Sequence, residues 1–148
     1  MKIMKSASLL VLFTILVSSS ALSQNTKFNG EWTLNTEKTT LPENQLYMAK
    51  VTVLVKGDSL ITTRVYMDGM GSEYPFEEKL SLDGKESKIT IYDMPRTSKA
   101  SKSSADGSLS VESTTTFNAN GGEDNLKAIE TWKVDSEGKT LTVEYSNT

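Results

Sequence analysis

The chain of 148 residues contains neither cysteine nor histidine. Without cysteine it can form no disulfide bond, no thiolate nucleophile and no lipid attachment through a cysteine at a cleaved N-terminus. Without histidine it lacks the commonest general base and the commonest ligand of transition metals. Ser-His-Asp triads, Cys-His dyads and zinc sites of the usual kind are therefore excluded.

The sequence also lacks an apolar run of the ~20 residues that a membrane-spanning helix needs. Its longest apolar stretch, Leu9 to Val17, instead forms the middle of an N-terminal leader. Lys2 and Lys5 precede this stretch, and the small residues Ala21 and Ser23 follow it, as in a secretory signal peptide. We therefore predict a signal peptide over residues 1–23, cleavage after Ser23, and a protein that is secreted or periplasmic.

Positive charge is scarce. Removal of residues 1–23 takes away two lysines and no acidic residue, so the mature chain carries 14 basic and 19 acidic residues, a net charge of −5 (14 minus 19). Its 125 residues (148 minus 23) form one domain, residues 24–148. A mildly acidic chain with no basic run is a poor partner for nucleic acid. We expect a monomer without cofactor or metal that does not stay inserted in a membrane after cleavage.

Helical periodicity is scarce as well. After the leader, nine short segments alternate apolar and polar residues, which is the period of a half-buried strand. The segments read FNGEWTLN, YMAKVTVLV, SLITTRVYM, YPFEEKLSL, ESKITIY, RTSKASKSS, SLSVESTTTF, KAIETWKV and KTLTVEYS. The breaks between them are rich in Asp and Gly, as tight hairpin turns require, and NANGGEDN is the longest of these loops. The link TEKTTLPENQ is a candidate for a helical turn or a lid. The pattern predicts an all-β antiparallel barrel or sandwich.

The predicted turns also assign the faces of the strands, because residues paired across a short hairpin point to the same side of the sheet. Each of four predicted loops implies one pair of opposite residues. The loop Gly57–Asp58 places Val55 opposite Leu60, and the loop Asp83–Gly84 places Leu80 opposite Ser87. The loop Asp106–Gly107 places Ser104 opposite Leu109, and the loop Ser136–Lys139 places Val134 opposite Leu141. The faces so defined are the more apolar ones, and we place them inside. On the first strand the inward residues are Phe28, Gly30, Trp32 and Leu34.

Gly30 and Trp32 form a Gly-x-Trp motif in the stretch FNGEWTLN. Together with the late stretch WKVDSEGKTLTVEY and the repeated Asp-Gly turns, this motif resembles the small exported bacterial lipocalin-like proteins over nearly the whole mature chain. The resemblance implies an antiparallel up-and-down barrel of about eight or nine strands, in which Trp32 closes one end. A basic residue usually stacks on this Trp, and Lys133 and Lys139 are the candidates. Family members often have one further closing strand, so we expect incomplete closure here.

Five charged residues fall on the predicted inner face: Arg64, Glu78, Arg96, Lys102 and Glu130. Charges are rarely buried unless they are paired or solvated. Three interpretations are open. These residues form structural ion pairs or line the open mouth of the barrel, they contact a ligand, or the predicted register is wrong at one strand. The ligand interpretation predicts an amphipathic or anionic molecule held by Arg64, Arg96 and Lys102. Five aromatic residues are candidates for the cavity wall: Tyr66, Tyr74, Phe76, Trp132 and Tyr145. Ordinary core is the favoured interpretation for two of them, Phe76 and Trp132.

Three functions follow from these observations. The resemblance implies a non-catalytic protein that binds a small hydrophobic or amphipathic molecule in its barrel. The alternative is an interaction or structural module whose interior is filled, and a cavity of ~300–1,000 Å³ would separate the two. Enzymatic activity is not expected, because the chain has neither histidine nor cysteine. Glu77 and Glu78 point to opposite faces and cannot flank one bond, so Glu78 with Glu130 is the carboxylate pair that a glycosidase could use.

Overall fold

A computed structural model describes residues 8–15, 26–41 and 43–147. These residues form ten β-strands and a 3₁₀ turn at Thr26–Phe28. The strands are β1 (Ser8–Ile15), β2 (Gly30–Leu34), β3 (Tyr47–Lys56), β4 (Ser59–Met67), β5 (Glu73–Ser81), β6 (Ser87–Ile91), β7 (Met94–Lys102), β8 (Leu109–Ala119), β9 (Gly122–Val134) and β10 (Thr140–Asn147). Within these residues there is no helix with the length and apolar character needed to cross a bilayer.

All neighbouring strands are antiparallel, in the order β5-β4-β3-β2-β1-β10-β9-β8-β7-β6. The predicted all-β antiparallel class is therefore confirmed. Strand β1 separates a four-stranded group, β2 to β5, from a five-stranded group, β6 to β10. It pairs with β10 from Ser8 opposite Ser146 to Thr14 opposite Thr140, and with β2 where Ile15 lies opposite Trp32. This strand coincides with part of the predicted leader, whereas the predicted cleavage site lies outside the described residues.

The two terminal strands of the sheet, β5 and β6, approach each other without forming a ladder. The segment between them contacts β7 instead, through an isolated bridge from Asp83 to Ser101 and a hydrogen bond of 2.9 Å from Gly84 N–H to Ala100 O. The described strands thus curl around one core but do not form a closed barrel. The predicted pairing of Leu80 with Ser87 is wrong, because β6 pairs with β7 instead.

The turn that joins β6 to β7 was not predicted. Tyr92 and Asp93 form its two central residues, with φ angles of 48° and 64°, and Ile91 lies opposite Met94. Two-residue hairpin turns require positive φ, which Asn and Gly adopt most readily. The Tyr-Asp sequence lacks this signal. The predicted strand therefore begins at Arg96, two residues later than the start of β7 at Met94.

Most of the other predicted registers are confirmed. Val55 lies opposite Leu60, and Val134 lies opposite Leu141. Leu109 lies opposite Lys102 rather than Ser104, a shift of two residues that keeps every side chain on its predicted face. The prediction of a long loop over NANGGEDN is wrong, because Asn120 and Gly121 form a tight turn between the two long strands β8 and β9.

The inner face has a packed end and an open end. The packed end lies beside the turn at residues 57–58 and the loops at 103–108 and 135–139. The inner-face side chains there are fully buried and include Phe28, Leu60, Leu109 and Leu141. The open end lies beside the link 35–46 and the turns at 68–72, 92–93 and 120–121, where inner-face residues are half-buried; they include Tyr66, Phe76, Ile89, Phe117 and Tyr145.

Trp32 belongs to the packed part of the core. Its side chain is fully buried, and its indole Nε1–H donates a hydrogen bond of 2.8 Å to Phe28 O, which ties β2 to the 3₁₀ turn. Gly30 is exposed with a φ of 139°, so its predicted place in the packed inner face is wrong. Few residues other than glycine adopt this conformation, which explains the residue type.

Candidate functional site

Four of the five predicted inner charges meet in the middle of the core. This charge cluster consists of Arg64 on β4, Glu78 on β5, Arg96 on β7 and Glu130 on β9, all of them buried. Arg64 Nη1 lies 2.7 Å from Glu130 Oε1. Arg96 Nη2 lies 3.1 Å from Glu78 Oε2, and its Nε donates to both oxygens of the same carboxylate at 3.3 and 3.2 Å. The cluster therefore contains two complete ion pairs.

Aromatic rings and a second donor surround these pairs. The guanidinium of Arg64 lies 5.2 Å from the Trp132 ring centroid and 5.9 Å from that of Phe76, while Arg96 lies 5.6 Å from Phe76. Trp132 Nε1–H donates a hydrogen bond of 2.8 Å to Glu130 Oε2. A cation over an aromatic face gains ~0.5–2 kcal/mol, which offsets part of the cost of removing it from water. Trp132 is thus core, as predicted, and also a hydrogen-bonding member of the cluster.

The cluster holds its charges and is neutral as a whole. Burial would raise the pKa of Glu78, but the charges of Arg64 and Arg96 outweigh it and hold that pKa below its ordinary value. Burial would lower the pKa of Arg64, but the charges of Glu130 and Glu78 and the hydrogen bond to Glu130 contribute to a net rise of that pKa. Within the described part of the chain, Arg64 Nη2 has no hydrogen-bond partner, and Arg96 Nη2 contacts Glu78 Oε2 as an ion pair without the geometry of a hydrogen bond. Two cations and two carboxylates nevertheless leave the interior without net charge.

Lys102 does not join the cluster, and the prediction that it helps to hold a ligand inside is wrong. It is exposed at the packed end of β7, where it lies opposite Leu109. Six residues of strand separate it from Arg96, which is about 20 Å at ~3.3 Å per residue. The face of the strand was predicted correctly, but a side chain at the end of a strand reaches water past the edge of the core.

The two lysines proposed to stack on Trp32 lie elsewhere. Lys133 Nζ lies 3.8 Å from Glu144 and Lys139 Nζ lies 3.3 Å from Glu137, both on the surface. The Trp that a cation covers is Trp132, and the cation is Arg64.

Tyr66 and Tyr145 lie between the charge cluster and the open end. Tyr66 stacks on Phe76 with 5.8 Å between ring centroids and 14° between planes. Tyr145 lies opposite Glu130 in the β9–β10 register. Burial raises the pKa of both phenols, so each is neutral at physiological pH. Together with Phe76, these half-buried rings form a wall, which we call the aromatic wall.

A depression of about 650 Å³ opens to solvent at this end of the sheet. It lies between the link 35–46 and the turn 68–72, and its lining residues include Leu41, Glu43, Tyr47, Asp68 and Met70. Leu41 also packs against the core, and Tyr47 OH lies 3.4 Å from Met67 Sδ. The link forms turns rather than a helix in its described residues. Sequence patterns missed this depression because two loops far apart in the chain create it.

Comparison with known proteins adds no assignment. No protein-family model matches the chain, and no curated protein or solved structure matches it. Among the described residues, no three acidic side chains come together in a group that could hold a metal ion. Function is therefore inferred from the geometry of the open end and from the resemblance in sequence.

Proposed function

We propose that this protein is an exported, non-catalytic, lipocalin-like binding protein that holds a small amphipathic molecule at the open end of its sheet. The observation that carries this proposal is the contrast between the two ends of the inner face. Phe28, Leu60 and Leu141 are fully buried at the packed end, whereas the residues of the aromatic wall are only partly buried. Ligand sites are concave and mostly apolar, and the adjoining depression has a volume within their usual range of ~300–1,000 Å³.

The charge cluster serves as the floor of this site rather than as its ligand contact. Each buried carboxylate already has an arginine partner, and each arginine lies against an aromatic ring. Breaking such a pair to bind a ligand would leave a buried charge without compensation, at a cost of ~3–5 kcal/mol. The apolar part of the ligand therefore lies on the aromatic wall, above an intact cluster.

The state of the carboxylates supports binding over catalysis. A glycosidase acid must be protonated near neutral pH and has a raised pKa. The pKa of Glu78 is instead lowered by Arg64 and Arg96, which outweigh its burial. Glu130 accepts hydrogen bonds from Arg64 and Trp132, one at each oxygen. Glu78 is thus not prepared to act as a general acid near neutral pH, and both oxygens of Glu130 are already hydrogen-bonded.

A filled-interior module with no ligand is the second candidate, and the complete ion pairs of the charge cluster favour it. Native mass spectrometry of protein purified from its own cells separates the two, because a ligand that survives purification adds a discrete mass. Titration with a neutral probe, decyl maltoside below its micelle concentration, gives an independent measurement through tryptophan fluorescence. Binding that saturates at one molecule per chain supports the proposal.

The matched variants are Tyr66→Ser on the aromatic wall and Leu54→Ser on the outer face, where Leu54 is exposed. Losing the ring that stacks on Phe76 should weaken probe binding by about tenfold, since ring contacts contribute ~0.5–1.5 kcal/mol beyond their buried area. Leu54→Ser should leave binding unchanged. An absence of saturable binding in the wild type, together with no added mass, would favour the filled module.

A further inference from the structure

The net charge of the protein is concentrated at the open end. The described segments there are the link 35–46, the turn 68–72 with the first residue of β5, the turn 92–93, and the tip of the β8–β9 hairpin at 118–125; they contain seven acidic residues and one basic residue, Lys38, for a net charge of −6 (1 minus 7). The acidic residues are Glu37, Glu43, Asp68, Glu73, Asp93, Glu123 and Asp124. The rest of the chain after the leader carries 13 basic and 12 acidic residues, a net charge of +1 (13 minus 12).

These seven carboxylates, which we call the acidic rim, also differ from the others in their partners. Eight of the other twelve form ion pairs: Glu31, Glu78, Asp83, Glu86, Glu112, Glu130, Glu137 and Glu144. Within the described residues, no member of the acidic rim forms one. Hydrogen bonds, first that from Ser72 N–H, hold the pKa of Asp68 below its ordinary value, so this rim carboxylate stays charged.

Apolar side chains are exposed on the same surface. Met70 is 90% exposed, Tyr92 54% and Leu46 52%. Contacts connect this surface: Tyr92 packs edge-on against Tyr74 at 6.0 Å, Tyr74 OH donates to Asp68 Oδ2 at 3.2 Å, and Asp68 Oδ1 accepts from Met70 N–H at 2.9 Å. Exposed apolar groups with unpaired carboxylates around them suit a partner that is itself apolar and positively charged.

We propose that the molecule bound at the open end is a small cationic amphiphile; this inference depends on the proposed function and adds the charge of the ligand. Its apolar part lies on the aromatic wall and its cationic group lies among the carboxylates of the acidic rim. The neutral charge cluster does not select the sign of the ligand, so the rim decides it. An anionic amphiphile must approach a net charge of −6, whereas a cation is attracted and can also lie against Tyr74 and Tyr92.

Three probes with the same ten-carbon chain test this inference on the mature protein: decyltrimethylammonium, decanoate and decyl maltoside. Affinities are measured by calorimetry and by tryptophan fluorescence, below the micelle concentrations and at low and high NaCl. We expect the cation to bind about tenfold or more tightly than decanoate at low salt. The difference should shrink as salt shortens the Debye length from ~30 Å at 0.01 M to ~10 Å at 0.1 M.

Paired charge variants locate the effect. Glu43→Gln with Glu73→Gln removes two rim carboxylates that are exposed, and Glu86→Gln with Glu137→Gln removes two exposed carboxylates away from the open end. A unit charge about 8 Å away in water changes affinity by about two- to threefold, so the rim double variant should bind the cation about fivefold more weakly. The control variant has the same net charge and should keep its affinity.

The outcomes distinguish the two proposals. If decanoate or decyl maltoside binds as tightly as the cation, the cationic ligand is overturned while the binding function stands. If none of the three probes binds, the proposed function fails and this inference fails with it. A lysine-rich amphipathic peptide that binds when no small probe does would also overturn both and would assign the acidic rim to a protein partner.

Discussion

Arg64 on β4 and Glu130 on β9 form a buried ion pair of 2.7 Å between residues that are 66 positions apart in the chain. The pair joins the four-stranded group of strands to the five-stranded group. Arg96 on β7 and Glu78 on β5 join the same two groups, but here the five-stranded group carries the arginine and the four-stranded group the carboxylate. The two halves of the sheet are thus connected through the core by two ion pairs of opposite polarity.

Breaking one pair should cost more than replacing it. Arg64→Met alone leaves Glu130 buried without its cation, and we expect the free energy of unfolding to fall by ~3–5 kcal/mol. Arg64→Met with Glu130→Gln removes both charges and keeps an acceptor for Trp132 Nε1–H. This double variant should recover most of the loss in urea unfolding. Equal destabilisation of the single and the double variant would contradict a desolvation cost as the cause.

Trp32 should be among the most sensitive positions in the core. Trp32→Ala removes a fully buried ring, for which ~3–5 kcal/mol is typical, and also the hydrogen bond to Phe28 O. Trp32→Phe keeps part of the ring volume and should cost less. Chemical denaturation of both variants, with the exposed Leu54→Ala as control, checks this ranking. A loss below about 1 kcal/mol for Trp32→Ala would be that of a surface residue.

Acid should weaken the core through Glu78. Its pKa is lowered in the folded protein, so its stabilising contribution is present above the pKa of the unfolded chain, ~4.3, and is lost as the pH falls through the folded value. We expect the unfolding midpoint to fall with acid more steeply in the wild type than in Glu78→Gln. Thermal unfolding followed between pH 7 and pH 2 measures the difference. Parallel profiles for the two proteins would show that another group controls the transition.

Alkali should weaken the aromatic wall through Tyr66 and Tyr145. Burial raises the pKa of both phenols, so their neutral forms contribute stability that is present below the unfolded pKa of ~10 and is lost as the pH rises above it. Thermal unfolding between pH 8 and pH 12 should show this loss, with tyrosinate absorbance as the second signal. The variant with both Tyr66→Phe and Tyr145→Phe should lose less stability over that range.

The leader prediction has two measurable consequences. Intact mass of the exported protein should correspond to a chain that begins at Gln24, and recovery of the full-length chain outside the cytoplasm would contradict cleavage. Removing residues 1–23 also removes β1, so backbone amides of β2 and β10 lose their partners. Hydrogen exchange should therefore accelerate in Gly30–Leu34 and Thr140–Asn147 but not in β3. Unchanged protection would mean that β2 and β10 pair directly in the mature form.

Local patterns predicted the faces of the strands well, and long-range contacts poorly. Alternation placed Arg64, Glu78, Arg96 and Glu130 on one face, because a strand's period of two follows from its own residues. Which carboxylate meets which arginine depends on how the sheet curls, and no local signal encodes that. The turn at Tyr92 was missed because its residues lack the usual preference for positive φ.

The site itself was predicted only in part. The sequence identified Tyr66 and Tyr145 as wall residues, and the structure places both beside the charge cluster. Lys102 was misplaced because alternation does not tell where along a strand the core ends. Sequence patterns do not indicate the acidic rim, since its members come from four separate segments that the fold places at one end of the sheet.

The uneven placement of charge also gives the molecule an electric dipole along the axis from the open end to the packed end. Such a dipole experiences a torque in the field of any charged surface within about a Debye length, ~8 Å at physiological salt. Near an anionic membrane or polysaccharide layer, repulsion of the acidic rim would therefore turn the open end away from the surface. The aromatic wall would then face the surrounding medium, from which a ligand can enter without displacing the protein.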